Sequence, residues 1–121
     1  IQTLATFSVD GFRREGKSGT WTEQGKIAAI GFRLKRWVSF HGMSFNVENE
    51  LAGFETIVPC GLEGEPVTTL SKLLGEDMPS MPAVGSKLLD CFEEVMGRNL
   101  IRYQSMDLLP EALMACDPPR F

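Results

Sequence analysis

The feature that most constrains the fold is a change of pattern near the middle of the chain. Residues 11–47 contain short β-prone runs separated by glycine-containing turns, whereas residues 68–97 carry apolar side chains at helical spacing. Strands that precede helices within one short chain are typical of an α+β layout, in which helices pack on a sheet. The sequence therefore predicts an α+β domain with helices flanking a sheet.

The first half of the chain supplies the predicted strands. Apolar residues alternate with small or charged ones through residues 30–34, which is the period of a strand. β-Prone composition between turn residues predicts strands over 11–15, 18–22, 26–34, 37–40 and 44–47. The expected turns lie at Lys17-Ser18-Gly19, Glu23-Gln24-Gly25 and His41-Gly42.

Three helices are predicted around these strands. Residues 1–7 have the apolar spacing of the last turns of a helix. Thr68 or Thr69 can cap a short helix that stops at Gly75. A longer helix begins after Ser80, has a proline in its first turn, and ends at Gly97. Its apolar stripe consists of Val84, Leu88, Cys91, Phe92 and Val95.

The net charge of −4 conceals a basic segment. Residues 13–36 contain seven basic and two acidic residues. Such a segment can steer acidic partners, although a solvated strand face is the simpler interpretation. The overall pI is near 5.0 and aromatic residues do not interleave with the basic ones, so no nucleic-acid partner is expected.

Composition excludes several other classes of protein. No apolar run approaches the roughly 18–20 residues that cross a bilayer, so we expect no membrane span. The three cysteines do not have the spacing of a disulfide framework or a zinc site, and one histidine cannot support a multi-histidine metal site. No metal site is therefore expected, and a reducing compartment is favoured.

Cys60 is the thiol whose neighbours suit a nucleophile. Pro59 fixes the backbone before it, and Gly61 permits close approach of a ligand to the main chain. A buried packing cysteine is the alternative. Cys91 lies on an apolar helix stripe and is expected to behave as a small hydrophobe, and Cys116 lies in a proline-rich tail.

Two further residues can act either chemically or structurally. Lys26 opens a predicted strand, where a lysine is usually a solvated edge residue. His41 can act as a general base or as a hydrogen-bonding group of a turn. Neither residue names an activity by itself.

Four short motifs occur in order along the chain: KIAAIG at 26–31, HGMSFN at 41–46, PCG at 59–61 and TTL at 68–70. Together with Gly19-Thr20-Trp21-Thr22, these motifs resemble the lipoyl(octanoyl) transferases of lipoate biosynthesis over about residues 1–96. The 34 positions between Lys26 and Cys60 are also those of the family.

The resemblance implies a fold related to the biotin and lipoate protein ligases, with a mixed β-sheet and flanking helices. It implies transfer of an octanoyl group from octanoyl-acyl carrier protein, through a cysteine thioester, to a lysine of a lipoyl domain, without a cofactor. The implied acceptors are lipoyl domains of 2-oxoacid dehydrogenase E2 subunits and the glycine cleavage H protein. Because the family's R-G-G-x-x-T-x-H segment would precede Ile1, residues 1–121 are expected to be the C-terminal part of a single catalytic domain.

The resemblance also assigns roles by position. Cys60 would be the acyl-thioester nucleophile and Lys26 its activating partner. His41 and Gly61 would support them. The substrate-binding main-chain segments would be Ala29, Ile30, Gly31 and Gly42, Met43, Ser44. Family members commonly carry alanine at the position of Ser44, so the hydroxyl there is a departure.

Two other functions fit the same resemblance. One is an ATP-dependent lipoate or biotin protein ligase, and the other is a noncatalytic module that binds lipoyl domains. For the compartment, the IVPCGL segment at 57–62 resembles eukaryotic forms and predicts the mitochondrion. The bacterial cytoplasm and the plastid are the alternatives.

Overall fold

The computed structural model describes residues 1–52 and 65–103, and a four-stranded antiparallel sheet forms its centre. The strands follow one another in chain order across the sheet: β1 (Phe12–Arg14), β2 (Lys17–Thr22), β3 (Gly25–Lys35) and β4 (Val38–Phe45). Its helices are α1 (Gln2–Ala5), α2 (Leu70–Leu74), which a 3₁₀ turn at Gly75–Asp77 follows, and α3 (Met81–Met96). A parallel bridge between Lys26 and Val67 adds a second pairing direction. The predicted α+β class is confirmed.

The ends of α2 and α3 lie at the residues that the sequence predicts. The Thr69 hydroxyl accepts a hydrogen bond from the Lys72 N–H at 3.1 Å, and α2 ends at Gly75. Helix α3 follows Ser80 and ends at Gly97, which adopts the left-handed conformation that favours glycine. None of the helices in the described part of the chain has the length and hydropathy needed to cross a bilayer.

Two predicted turns are wrong. The first reversal lies at Glu15-Gly16, where Gly16 has a φ of 72°, so that Lys17 already belongs to β2. His41-Gly42 does not interrupt the sheet, because β4 runs continuously from Val38 to Phe45. His41 pairs with Phe32 on β3 despite its φ of 69°. Continuous pairing of β4 with residues 28–35 of β3 therefore overrides the local turn signal.

A β-bulge in β3 decides which side chains share a face. Trp21 pairs with Lys26 and Thr20 pairs with Ala28, so that Ile27 is an extra residue on β3. Ile27 and Ala28 both line a small cavity beneath helices α1 and α3. We call that side of the sheet the helix face. Lys26 lies with Trp21 on the other side, which we call the lysine face.

The hydrophobic core lies on the helix face, near the beginning of β3. Its buried members are Leu4, Ile27, Val47, Leu70 and Val84. The apolar stripe predicted for α3 is buried at Val84 and becomes exposed at Phe92 and Val95. The far half of β3 is exposed as well. The packed part of the fold is therefore the end of the sheet that contains Lys26.

Candidate functional site

Lys26 is a buried lysine whose main chain pairs with Trp21 of β2 on one side and with residues 66–68 on the other. Its side chain is only 6% exposed. The Lys26 N–H donates a hydrogen bond to the Pro66 carbonyl at 2.8 Å, and the Thr68 N–H donates to the Lys26 carbonyl at 3.0 Å. Residues 66–68 therefore run beside Lys26, and Pro66 comes only six positions after Cys60. Cys60 and Gly61 themselves lie outside the described residues.

The Lys26 ammonium lies over an aromatic ring rather than beside a carboxylate. Its Nζ is 5.6 Å from the centroid of the Trp21 ring, and the Trp21 side chain is completely buried. Arg14 and Lys17 approach the same ring, at 4.5 and 5.8 Å. Cation–π attraction of this kind stabilises a cation without neutralising it. Within residues 1–52 and 65–103 no carboxylate pairs with Lys26, so its positive charge is not compensated there.

Glu65 connects the segment that follows Cys60 to the β1–β2 hairpin. Its carboxylate accepts a hydrogen bond from Arg14 at 3.0 Å and another from Lys17. The hydrogen bond from Lys17, aided by the charges of Lys17 and Arg14, holds the pKa of Glu65 below its usual value. The ion pairs therefore fix residue 65 near Trp21, on the approach to Lys26.

Gly19 makes room for the Lys26 side chain. A Cβ atom at Gly19 would lie 2.6 Å from Lys26 Cε and 2.3 Å from the Ala28 carbonyl oxygen. Gly19 also has a φ of 107°, which an L-residue with a side chain rarely adopts. Only glycine therefore lets the lysine cross β2 at this point.

The predicted substrate-binding residues divide between the two faces. Beyond the bulge, side chains alternate, so Ala29 and Gly31 follow Lys26 on the lysine face, opposite Ser44 and Gly42 on β4. No atom lies within 4 Å of where a Cβ would stand on Gly31 or Gly42, among the described residues. This pair leaves a strip of bare main chain, which we call the glycine strip.

Ile30, Met43 and His41 lie on the helix face instead. Ile30 pairs with Met43, and His41 pairs with Phe32. Ile30 and Met43 line a groove of about 850 Å³ beside α3, together with Cys91 and Phe92. The structure therefore brings Ala29, Gly31, Gly42 and Ser44 onto the same face as Lys26, and it does not bring Ile30, Met43 or His41 there.

Sequence reasoning missed three residues of this site. Gly19 and Trp21 lie in a segment that contributes to the family resemblance but receives no site role from the sequence, and the sequence predicts no role for Glu65. The positive φ of Gly19 and the ion pairs of Glu65 depend on partners elsewhere in the chain. The segment Gly19-Thr20-Trp21-Thr22 was the one available signal, through its place in the motif series.

Comparison with known proteins identifies the family. The model of the lipoyl protein ligase A/B catalytic domain matches residues 1–93. The chain belongs to this family. That result confirms the resemblance predicted from the motifs and agrees with a biotin/lipoate ligase-like fold.

Curated bacterial relatives named octanoyltransferase are similar to this chain. The relative from Syntrophotalea carbinolica is 44% identical over 96 residues, which cover 79% of this chain and 45% of the relative. The relative from Dinoroseobacter shibae is 46% identical over 111 residues, covering 80% of this chain and 49% of the relative. The relative from Paramagnetospirillum magneticum is 46% identical over 102 residues, covering 80% and 47%. The chain thus spans about half the length of these relatives.

Replacing Gly19 with alanine should destabilise the protein more than the same change at Gly16. Both glycines have positive φ, so both variants carry a backbone strain of at least about 1 kcal/mol. Only Gly19→Ala adds a clash with Lys26 and a main-chain carbonyl, because nothing described lies within 4 Å of a Cβ at Gly16. Urea denaturation of the two variants measures the difference. Equal free energies of unfolding would contradict the close approach.

Replacing Glu65 with glutamine should remove a pH-dependent stabilisation. Because the folded pKa of Glu65 is lowered, its ion pairs stabilise the protein above the ordinary carboxyl pKa and are lost as the pH falls through the folded value. Thermal denaturation should show Glu65→Gln below wild type at pH 7 and equal to it in strong acid. Glu76→Gln is the control, since Glu76 is exposed and makes no ion pair in the described residues. A constant difference at all pH values would disprove the contribution of these ion pairs.

Proposed function

We propose that the protein is an octanoyltransferase of protein lipoylation. It transfers an octanoyl group from octanoyl-acyl carrier protein to Cys60, and from Cys60 to a lysine of a lipoyl domain. The names of the curated relatives support octanoyl transfer. The donor, the thioester and the acceptor lysine are the parts that this proposal adds.

The observation that carries the proposal is the buried ammonium of Lys26, which pairs with no carboxylate of residues 1–52 and 65–103 and lies beside the chain at 66–68. Pro66 and Thr68 bond to the Lys26 main chain, and Glu65 is held by Arg14 and Lys17. Six residues of extended chain reach at most about 20 Å, so Cys60 cannot lie farther than that from Pro66. Burial of an ammonium costs free energy unless a negatively charged or hydrogen-bonding group lies beside it. In the proposed mechanism the Cys60 thiolate is that group.

The chemistry suits a thiolate next to an ammonium. A free cysteine has a pKa of about 8.5, and a neighbouring ammonium stabilises the thiolate that acts as nucleophile. The Cys60 sulfur attacks the octanoyl thioester, a new sulfur–carbon bond forms, and the bond to the carrier sulfur breaks. One thioester replaces another, so the leaving group changes little in energy. Lys26 would give a proton to the departing carrier thiolate.

The second half-reaction forms an amide. The amine of the acceptor lysine attacks the acyl carbon, a carbon–nitrogen bond forms, and the bond to the Cys60 sulfur breaks. Lys26, neutral after the first step, would take the proton that the amine loses and so return to its charged state. The glycine strip lies on the lysine face and leaves space beside the main chain for a thin acyl group.

An ATP-dependent ligase is the second candidate, because the matching family model covers lipoyl protein ligases A and B alike. Such an enzyme would activate free octanoate with ATP and would not need an acyl-cysteine. Release of pyrophosphate from ATP in the presence of octanoate would support the ligase. Octanoyl transfer without ATP supports the transferase.

The bacterial origin of the curated relatives favours the bacterial cytoplasm over the mitochondrion as the compartment. The mitochondrial prediction rested on one short segment and gains no support from them.

Incubation of the natural full-length protein with octanoyl-acyl carrier protein should add one octanoyl group to Cys60. Intact-protein mass spectrometry should detect the adduct, and hydroxylamine should remove it because a thioester is labile. Cys60→Ser should abolish the labile adduct, and Cys116→Ser should retain it. An adduct that survives in Cys60→Ser would rule out Cys60 as the acyl carrier.

Removal of the Lys26 charge should slow alkylation of Cys60. Lys26→Ala should lower the iodoacetamide rate at pH 7 by about tenfold, because a smaller fraction of the thiol is ionised without a nearby ammonium. The midpoint of the pH–rate profile should rise. Lys72→Ala is the control, since Lys72 is exposed on α2. A profile unchanged in Lys26→Ala would end the activating role of this lysine.

A further inference from the structure

Six of the seven basic residues at 13–36 form two clusters in the structure, and the exposed Arg13 belongs to neither. Arg14, Lys17 and Lys26 surround Trp21, and two of these three are paired with Glu65. The second cluster, Arg33, Lys35 and Arg36, lies at the end of the β3–β4 hairpin and is exposed. Within the part of the chain that the structure describes, the second cluster makes no ion pair. It is therefore the cluster available to a partner.

The turn between β3 and β4 places Arg36 and Trp37 at positive φ, a backbone conformation that both residue types rarely adopt. Arg36 and Trp37 have φ values of 51° and 64°, which are those of a two-residue turn that favours Asn-Gly. The Trp37 side chain is 97% exposed, so it contributes no packing that offsets the strain. A strained residue that the fold does not need points to a function.

Exposed apolar side chains lie on both faces at this end of the sheet. Val38 shares the face of its partner Lys35, whereas Phe32 and Leu34 lie on the helix face. Phe32, Leu34 and Val38 are each more than half exposed. Tryptophan and arginine next to such side chains are typical of the energetically dominant part of protein interfaces. We call residues 32–38 the hairpin tip.

The hairpin tip is continuous with the lysine face. Arg33 and Lys35 follow Gly31 at alternate positions of β3, so their side chains share the face of Lys26 and the glycine strip. Nine residues separate Lys26 from Lys35, which corresponds to about 30 Å along a strand. A small domain is about 30 Å across, so a protein lying along the hairpin spans this distance. A flat membrane that touches the tip would not approach Lys26.

We propose that the hairpin tip is the docking surface for the acidic carrier protein that donates the acyl group. This inference rests on the proposed octanoyl transfer. Arg33, Lys35 and Arg36 meet carboxylates of the carrier, and Trp37 enters an apolar depression between them. The glycine strip then guides the tethered acyl chain toward Lys26.

Charge removal at the tip tests the docking surface by kinetics of the natural full-length protein. In the triple variant Arg33→Gln, Lys35→Gln, Arg36→Gln, the KM for octanoyl-acyl carrier protein should rise about tenfold, and its dependence on salt should flatten. The kcat should not change, because the reacting groups are intact. The matched control neutralises three exposed cations on other elements: Lys72→Gln, Lys87→Gln, Arg98→Gln. A KM that is equal in both triple variants would overturn the proposal.

Trp37→Gly separates docking from folding. Glycine adopts a positive φ without strain, so this variant should have a higher melting temperature than wild type. The KM for octanoyl-acyl carrier protein should nevertheless rise. If Trp37 had only a structural role, its replacement could not raise the melting temperature and also raise the KM for octanoyl-acyl carrier protein. An unchanged KM in the stabilised variant would refute the role of the indole.

Tryptophan fluorescence measures docking without turnover. Trp21 is buried and Trp37 is exposed, so acrylamide should quench Trp37 selectively, and the Trp37→Phe variant should lose that component. Addition of octanoyl-acyl carrier protein should shield Trp37. A protein that fails to transfer octanoate but shows this shielding would refute the proposed function and retain the docking surface. Three outcomes would overturn the docking proposal. Trp37 could be shielded already in the free protein, or the tip variants could raise only the KM for the lipoyl domain. Phosphatidylglycerol vesicles could also shield Trp37 when octanoyl-acyl carrier protein does not.

Discussion

The extra residue in β3 is the constraint on which the site depends. Because Ile27 opposes β2 together with Ala28, it enters the core, and Lys26 is directed to the opposite face. A regular strand would have placed Lys26 and Ala28 on the same face, and the lysine would then have met the core. One irregularity therefore allows a single strand to direct Ile27 into the core and the Lys26 ammonium to the opposite face.

The surroundings of Lys26 bury its charge, and no carboxylate of residues 1–52 and 65–103 pairs with it. The Trp21 ring provides a cation–π surface, and Gly19 provides the space through which the side chain passes. The Glu65 carboxylate pairs with Arg14 and Lys17. The same ion pairs hold the chain that follows Cys60. The contacts with Trp21 and Gly19 and the ion pairs of Glu65 thus hold the Lys26 side chain in place without using its charge in a described ion pair.

The two halves of β3 differ in burial and in the charged residues that they contain. Its first half is buried and contains Lys26, and its second half is exposed and contains the cations of the hairpin tip. The glycine strip joins the two. In the proposed reaction both substrates are proteins, so contact at the exposed end and chemistry at the buried end would occur along the same face of the sheet.

The sequence by itself determined the α+β class, the caps of α2 and α3, and the family, because these depend on local patterns and on motifs in a fixed order. It also predicted a site that includes Lys26, Gly31 and Gly42, and the structure places these three residues on one face of the sheet. Only the tertiary structure decided that β4 is continuous through His41, that Ile30 and Met43 leave the lysine face, and that Glu65 pairs with the β1–β2 hairpin. Pairing between strands and contacts between residues about fifty positions apart decide these features, and such long-range interactions have no signature in the local order of residues.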